Sequence, residues 1–242
     1  MSTTEIFPGL VIQGFTPPLN LSNFKLIAFD MDSTLINIEC IDEIADAAGR
    51  KAEVAAITEA AMRGEITDFK DSLRRRLALL EGVSVASMEA VYKERLQINP
   101  GAKELIDTCK AAGLRVLLVS GGFTFFADKV QQTLGIDYVK ANVLEIKNSK
   151  LTGRLITQSW GDICDGEEKR RTVLATCESL GITPKQAIAM GDGANDLPMM
   201  KLCADAGGLS VAYHAKPKVR NEAMVSVNVG GLDGLLRVIN HE

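Results

Sequence analysis

Two carboxylates stand two positions apart at the end of an apolar run. Leu26–Phe29 are apolar and are typical of a short buried strand, and Asp30 and Asp32 follow it directly. In an extended segment, residues i and i+2 point the same way, so both carboxylates would face one crevice. Two close carboxylates repel each other and need a shared proton or a cation. The pair therefore predicts a charged site.

A second acidic motif follows another apolar run. Asp192 ends the run 187–191, and Asp196 comes one turn later in the stretch GDGANDLP. Oxygen ligands with room for water suit Mg²⁺, a hard cation that usually also contacts phosphate. Together with Asp30 and Asp32, these residues predict a magnesium site that is open to an oxyanion.

A hydroxyl and two glycines offer contacts for that oxyanion. Ser120 ends the apolar run that starts at Leu114, and Gly121 and Gly122 follow it. Glycines let backbone N–H groups approach an anion closely, and Lys169 could balance the charge of phosphate oxygens. Taken singly, each motif is more often a turn, a helix cap or a solvated helix face. Their joint occurrence at strand ends and a helix start favours one site.

The elements that would position these residues are continuous apolar runs separated by helical stretches. Continuous runs are typical of strands buried on both faces of a parallel sheet, and the alternation indicates a doubly wound, mainly parallel, Rossmann-like α/β fold. Ligands bind at the carboxyl ends of the strands in such sheets. The predicted strands are 25–30, 114–120, 187–192, 208–213 and 225–229, and the predicted core helices are 102–112 and 167–180.

Two intervals depart from this alternation. Residues 37–97 contain helical patterns separated by glycines and no convincing strand, which predicts a small helical bundle inserted after the first strand. Residues 142–160 alternate around a polar turn and predict a β-hairpin. We therefore expect an α/β core of residues 1–36 and 98–242 with a cap of residues 37–97. The first 24 residues carry no motif that we can interpret.

Composition limits the classes of function. The 242 residues carry a net charge of −4 with acids and bases interspersed, so a nucleic-acid-binding face is not expected. The N-terminus does not resemble a signal peptide, and no apolar run approaches the length of a membrane span. Five scattered cysteines favour reduced thiols. We expect a cytoplasmic protein without a membrane or nucleic-acid partner, either a monomer or a homodimer.

In their order along the chain, these motifs resemble the four motifs of the haloacid dehalogenase superfamily of phosphotransferases. The four are DMDSTL at 30–35, SGG at 120–122, Lys169, and GDGAND at 191–196. Within the superfamily the likeness is closest to the phosphoserine phosphatases, through FDMDSTLINIECIDEIA, SLRRRL, VSGGFTFF, GDGANDLPMM and AYHAKPKV. It extends from about Lys25 to the C-terminus, and the helical insert corresponds to the cap of that family.

The resemblance implies roles for the acidic residues. Asp30 would be the nucleophile that forms a phosphoaspartyl intermediate, and Asp32 would act as general acid and then as general base. Mg²⁺ would be held by Asp30, the main-chain carbonyl of Asp32, and Asp192. Asp196 would lie behind the site and orient waters or Lys169.

The resemblance also implies the contacts of the substrate. Ser120, Gly121, Lys169 and Asn195 would serve the phosphoryl group and its surroundings. In the cap, Glu39 would bind an ammonium group, Arg76 a carboxylate, and Met62 and Phe69 would form an apolar wall. Two alternatives stay open: the arginines 74–76 could be a basic helix surface, and the two apolar residues could be ordinary bundle core.

The implied activity is Mg²⁺-dependent hydrolysis of phosphoserine, the last step of serine synthesis. A close alternative is a phosphotransferase that passes the phosphoryl group to another hydroxy amino acid, such as homoserine. A signalling receiver domain also uses an acidic cluster, Mg²⁺ and a lysine, but Asp32 and the helical insert argue against it. A purely structural role would leave the polar strand ends unexplained.

Overall fold

The computed structural model describes residues 3–62 and 65–240, except for the side chain of Met62. The described strands are β1 (Thr3–Phe7), β2 (Leu10–Gln13), β3 (Leu19–Asn20), β4 (Leu26–Phe29), β5 (Arg115–Phe123), β6 (Tyr138–Asn142), β7 (Leu144–Lys147), β8 (Lys150–Leu155), β9 (Ala187–Gly191), β10 (Leu209–Tyr213), β11 (Val225–Val227) and β12 (Ile239–Asn240). The described α-helices are α1 (Cys40–Ala47), α2 (Lys51–Met62), α3 (Phe69–Ala78), α4 (Val85–Glu94), α5 (Ala102–Ala111), α6 (Thr124–Leu134), α7 (Gly166–Ser179), α8 (Leu197–Asp205) and α9 (Pro217–Glu222).

Within the described residues the main sheet has eight strands in the order β1-β2-β11-β10-β9-β4-β5-β6. The pairs from β11 to β6 are parallel. The pairs β11·β2 and β1·β2 are antiparallel. The mainly parallel, doubly wound α/β fold is therefore confirmed, and an antiparallel N-terminal hairpin extends one edge of the sheet.

The central strands bury side chains on both faces, because helices cover each side. On β4, Ile27 and Phe29 belong to the larger apolar cluster, while Leu26 and Ala28 belong to the smaller one on the opposite face. All four are fully buried. This two-sided burial explains why the strand is a continuous apolar run without alternation.

Helices α1–α4 lie within the inserted segment, and the two chain connections to it run side by side. Ile36 bridges Ile98, and the Asn37 N–H donates to the Gln97 carbonyl at 3.0 Å. The side-chain amide of Asn99 donates to the carbonyl of Thr34 at 2.8 Å. These contacts occur where we expect the cap to leave the core, although the domain division itself remains a prediction.

The hairpin β7·β8 is present, with Asn148 and Ser149 at positive φ in its turn. It packs on the inserted segment: the Gly82 N–H donates to the Leu151 carbonyl at 2.8 Å, and the Val85 N–H to the Ser149 carbonyl at 2.9 Å. The insert is therefore in contact with a part of the chain that lies far beyond residue 97.

The strands outside the site that were not predicted from the sequence include β1 and β2, which residues 3–13 form, and the edge strand β6. In the described part of the chain, no helix has both the length and the apolarity to cross a bilayer.

Candidate active site

The site is built on three adjacent strands, β9, β4 and β5. Asp192 and Asp30 directly follow β9 and β4, whereas β5 continues to Phe123, beyond the predicted end at Ser120. Ser120 still reaches the same edge, because it comes two residues after Leu118, the partner of Phe29. Met31 turns into the core and is fully buried, so Asp30 and Asp32 both line one cavity. The geometry expected from parallel strand ends is thus observed for all these residues.

A buried lysine joins two of the carboxylates. Lys169 lies on α7, and its Nζ is 2.6 Å from Oδ1 of Asp30 and 2.6 Å from Oδ1 of Asp196. Its side chain is 0% exposed. Burial lowers the pKa of Lys169, but the charges of Asp196 and Asp30 and their hydrogen bonds outweigh burial, so its pKa is raised. Lys169 is therefore a fixed cation.

Asp196 supports the site from behind. Besides its contact with Lys169, it accepts hydrogen bonds at Oδ2 from the N–H groups of Asp192 (3.1 Å) and Gly193 (3.0 Å). Both carboxylate oxygens are thus engaged within the protein. A side chain at position 191 would collide with Asp196, since its Cβ would lie 2.4 Å from Cγ. The glycine lets this turn fold against the carboxylate.

The turn after β4 aims Asp32 into the cavity. Ser33 adopts φ 57°, which is uncommon for a residue other than glycine. Its N–H donates to the Ile38 carbonyl at 3.1 Å, and its hydroxyl donates to Oε1 of Glu39 at 2.7 Å. Oδ2 of Asp32 accepts the N–H of Cys40 at 3.1 Å, whereas its buried Oδ1 has no hydrogen-bond partner among the described residues.

Too little positive charge lies near the carboxylates of Asp30, Asp32 and Asp192 to keep their pKa values at the usual value for aspartate. Burial, and next the negative charge of Glu39, raises the pKa of Asp32 from 3.8 to about 7. Burial, and next the charge of Asp196, raises the pKa of Asp192 to about 7. Burial and Asp196 also raise the pKa of Asp30, against the opposing effect of Lys169. The cluster would gain from a further cation.

Oxygen atoms of Asp30, Asp192 and Asp196 lie within 4.8 Å of one another, close enough to surround a metal ion. Such an all-oxygen set suits a hard divalent cation. Because Asp196 already uses both oxygens, Asp30 and Asp192 are the side chains best placed as ligands. The donor set fits the expected Mg²⁺.

The Ser120-Gly121-Gly122 turn differs in one detail from the sequence-based expectation. The Gly122 N–H donates to Oγ of Ser120 at 2.9 Å, so it is engaged within the turn and is not free for an anion. The Gly121 carbonyl accepts the side-chain amide of Asn142 at 2.8 Å, and Oδ1 of Asn142 accepts the Cys164 N–H at 2.7 Å. Asn142, which sequence reasoning overlooked, fixes the turn.

A cavity of about 500 Å³ lies between the strand ends and helices α1, α2 and α3. Glu39 and Asp42 from the start of α1, and Phe69 and Arg76 from α3, line it. Cζ of Phe69 lies 3.4 Å from the point where a side chain on Gly121 would begin. Residues of α1, α2 and α3 therefore share this cavity with the residues at the strand ends.

Two polar atoms of the insert are buried at this cavity without a partner. They are Nε of Arg76 and Oδ1 of Asp42, and among the described residues neither makes a hydrogen bond. Burial lowers the pKa of Arg76, while the charges of Asp42 and Glu39 raise it. Unpaired polar atoms in a cavity wall are costly unless a ligand satisfies them.

Most of the predicted site residues meet at this cavity. It is lined by Asp30, Asp32, Glu39, Phe69, Arg76, Ser120, Gly121, Asp192 and Asn195, while Lys169 and Asp196 lie directly behind Asp30. Met62 ends α2, but its side chain is outside the described residues. Sequence reasoning did not identify Asp42 or Lys216, which also line the cavity. The spacing of Asp42 three residues after Glu39 on one helix could have indicated it.

Comparisons with known proteins agree with this geometry. Residues 27–201 match the model of the haloacid dehalogenase-like hydrolase family. The phosphoserine phosphatase of Polaromonas sp. (strain JS666) is 70% identical over 239 residues, which cover 99% of this chain and 100% of that protein.

Two solved structures resemble the fold closely. A phospho-aspartyl intermediate analogue of phosphoserine phosphatase has a TM-score of 0.80 and 38% identity, and covers 90% of this chain and 99% of that one. A substrate-bound phosphoserine phosphatase complex gives the same TM-score, identity and coverage. With its four motifs gathered at the strand ends, this chain belongs to the haloacid dehalogenase-like hydrolases and, within them, to the phosphoserine phosphatases.

Proposed function

We propose that this enzyme hydrolyses O-phospho-L-serine to L-serine and phosphate, with Mg²⁺ and through a phosphoaspartyl intermediate on Asp30. The observation that carries the proposal is the cluster of Asp30, Lys169 and Asp196 beneath the cavity, with Asp32 at its wall. The reaction would complete serine biosynthesis in the cytoplasm.

In the first step, a carboxylate oxygen of Asp30 attacks phosphorus, and the bond from phosphorus to the serine oxygen breaks. Lys169 holds Oδ1 of Asp30 at 2.6 Å, which fixes the orientation of the nucleophilic carboxylate. Asp32 gives a proton to the departing serine oxygen. A pKa of about 7 for Asp32 suits a group that must carry a proton near neutral pH.

In the second step, Asp32 takes a proton from water, whose oxygen attacks the same phosphorus. The bond from phosphorus to Asp30 breaks, and phosphate leaves with Asp30 restored. Ser120 and the N–H of Gly121 stabilise the equatorial oxygens, where most of the charge of the transition state resides. Asn195, in the cavity wall, orients groups near the phosphate.

Mg²⁺ fits the donor set described above. Asp30, Asp192 and the main-chain carbonyl of Asp32 would hold it, and Asp196 would keep the Asp192 turn in place. When bound, the ion would supply positive charge that balances the carboxylates of Asp30 and Asp192 and the charge of the phosphoryl group.

Substrate choice would lie in the cap. Glu39 would bind the ammonium group and Arg76 the carboxylate, for which a guanidinium fork is well suited. Nε of Arg76, which is buried without a partner in the described part of the chain, supports this assignment, because the substrate carboxylate would satisfy it. Phe69 and Met62 would complete an apolar wall that excludes water.

The test is phosphate release from a panel of phosphomonoesters with Mg²⁺, with and without homoserine. We expect rapid release from L-phosphoserine that is insensitive to homoserine and is lost in Asp30→Asn. Slow release that rises with homoserine, with phosphohomoserine as product, would instead establish a phosphotransferase. Preference for esters without an amino-acid moiety would overturn the assignments of Glu39 and Arg76.

A further inference from the structure

The three consecutive arginines of α3 point in three directions. Successive residues of an α-helix are 100° apart, so adjacent side chains cannot share a face. Arg74 reaches Asp162, with Nη2 2.7 Å from Oδ2. Arg75 pairs with Asp71 one turn earlier on the same helix at 2.8 Å. Only the third, Arg76, lines the cavity among these three.

A second cation lies on the same face of α3 as Arg74. Lys70 precedes it by four residues, which is one helical turn. Its Nζ is 3.3 Å from Oδ2 of Asp165. Asp162 and Asp165 both belong to the segment between β8 and α7, so two ion pairs fasten α3 to that segment.

Asp165 also starts the helix that carries Lys169. Its Oδ1 accepts the N–H of Glu168 at 2.9 Å as the N-cap of α7, and its carbonyl accepts the N–H of Lys169 at 2.8 Å. One residue therefore contacts the cap through Lys70 and fixes the start of the helix whose lysine holds Asp30.

We propose that Lys70 and Arg74 are positioning residues that hold α3 closed over the substrate, by pairing with Asp165 and Asp162. These four residues are called the α3 latch below. Since Phe69 and Arg76 lie on the same helix, fastening α3 places both of them at the cavity. The inference rests on the proposed phosphoserine phosphatase activity and goes beyond it.

The exposure of the two pairs suits a contact that opens in every catalytic cycle. Arg74 and Asp162 are 53% and 34% exposed, and Lys70 and Asp165 are 36% and 24% exposed. Ion pairs of this kind shift an equilibrium by only about two- to five-fold each. A much stronger contact would slow product release, which often limits turnover in enzymes with lids.

The chain offers a matched control on the same helix. Arg75 and Asp71 are 57% and 44% exposed, similar to the latch pairs, but both lie on α3. Removing Arg75 therefore removes one exposed guanidinium and one ion pair without changing any contact between α3 and the segment that holds Asp162.

The first experiment compares Arg74→Gln with Arg75→Gln in the Mg²⁺-loaded enzyme. We expect Arg74→Gln to lower kcat/KM for phosphoserine by about two- to five-fold through a higher KM, without a decrease in kcat. Arg75→Gln should match wild type. Because salt screens exposed pairs, the difference should shrink between low salt and about 0.5 M salt. Identical kinetics of the two variants would overturn the latch.

The second experiment exchanges the charges. Arg74→Asp alone should raise KM further than Arg74→Gln, since it faces Asp162 with a like charge, and adding Asp162→Arg should recover at least half of the loss. For the second ion pair of the latch, Lys70 and not Asp165 would be substituted, because Asp165 also caps α7 and its loss would disturb that helix. A charge-exchanged enzyme no better than Arg74→Asp would show that the pair does not act in closure.

A readout without turnover separates this inference from the proposed function. Amide hydrogen exchange in α3 and in residues 156–165 should be faster in Arg74→Gln than in Arg75→Gln. If wild type fails to hydrolyse phosphoserine, the proposed function is wrong, and the exchange data still test the fastening of α3. If wild type is active but exchange in the two variants is equal, only the latch is wrong.

Discussion

The active site has two parts with different electrostatics. We call the cluster of Asp30, Lys169, Asp192 and Asp196 at the strand ends the floor, and Glu39, Asp42 and Arg76 of the inserted segment the roof. In the floor, Lys169 is fully buried and bonded to two carboxylates, and Asp196 has both oxygens engaged. In the roof, Arg76 and Asp42 each keep a buried polar atom that has no partner among the described residues. Lys169, Asp30 and Asp196 are thus paired with one another before the substrate arrives, whereas the polar atoms of the roof would find partners only on the substrate.

This difference follows from what each part must do. Phosphoryl transfer needs charges fixed in place before reaction, so reorganisation costs nothing at the transition state. Recognition of a zwitterionic substrate needs polar groups that are unsatisfied until the correct partner binds, because that is what rejects ligands lacking the partner group. Four predictions test whether the contrast is real.

The largest effect is expected in the floor. Lys169→Met leaves Asp30 and Asp196 buried without their cation, so the free energy of unfolding should fall by about 3–5 kcal/mol. Activity should fall by about 10²–10³-fold or more, since the nucleophile loses its anchor. Chemical denaturation and steady-state kinetics measure the two effects.

Arg170→Met is the matched control for Lys169, because Arg170 is the next residue on α7 and forms an exposed pair with Glu167. Its effect on stability should stay within about 0.5 kcal/mol. Equal destabilisation by the two substitutions would mean that the floor is not a specially stabilised cluster.

A substitution in the roof should weaken substrate binding and leave the stability of the protein nearly unchanged. Arg76→Met should raise KM for phosphoserine by about 10- to 100-fold, the scale of lost hydrogen bonds to a charged group. The free energy of unfolding of the ligand-free protein should change by less than about 1 kcal/mol, because burial of the guanidinium outweighs its attraction to Asp42 and Glu39 and lowers its pKa. O-Phosphoethanolamine, which has the ammonium but no carboxylate, should show little change in KM. A fall of about 2 kcal/mol or more in the free energy of unfolding would make Arg76 a structural residue.

The stability of the protein should depend on pH and on Mg²⁺ through the carboxylates of Asp32 and Asp192. The folded-state pKa values of Asp32 and Asp192 are raised to about 7, from 3.8. Without metal, the native state then binds more protons than the unfolded state between about pH 4 and pH 7, so stability falls as pH rises through this window. Above it the loss is complete. Added Mg²⁺ should reverse the loss, most clearly above pH 7.

Asp192→Asn tests directly whether repulsion between buried carboxylates lowers the stability of the metal-free protein. Removing one carboxylate should raise the Tm of the metal-free protein at pH 7.5 by roughly 2–8 °C, equivalent to about 1–2 kcal/mol, and abolish most of the stabilisation by Mg²⁺. Thermal unfolding with EDTA or Mg²⁺ at pH 5 and 7.5 checks it. A metal-free variant no more stable than wild type would show that the carboxylates are not in mutual repulsion.

The floor could be predicted from the sequence because its residues are tied to strand ends. Asp30, Ser120 and Asp192 each follow a continuous apolar run, and parallel strands bring their carboxyl ends to one edge. The positions of these residues therefore follow from local pattern and sheet geometry alone. Asn142 was not predicted, because its two hydrogen bonds join segments that are remote in sequence.

The roof and the sheet edge were harder to predict for physical reasons. The stretch of arginines 74–76 does not tell which guanidinium faces the cavity, since that depends on how α3 is rotated against the core. The partners of Arg74 and Lys70 lie about 90 residues away and leave no local signature. The N-terminal hairpin did have a signal, the Pro8-Gly9 turn between two apolar stretches.

The smallest expected effect is that of replacing Asp42, which with Glu39 is one of the two acidic residues of the roof. Asp42 lies three residues after Glu39 at the start of α1, and its Oδ1 is buried at the cavity without a partner among the described residues. We expect Oδ1 to contribute to binding the substrate ammonium, so Asp42→Asn should raise KM by about two- to five-fold for phosphoserine. The KM of O-phospho-3-hydroxypropionate, which is phosphoserine without its ammonium group, should fall or stay unchanged. Glu43→Asn is the control, since Glu43 pairs with Arg95 at 2.7 Å. An equal change in KM for both esters would show that Asp42 acts only on Arg76, and the roof would then have a single ammonium-binding carboxylate.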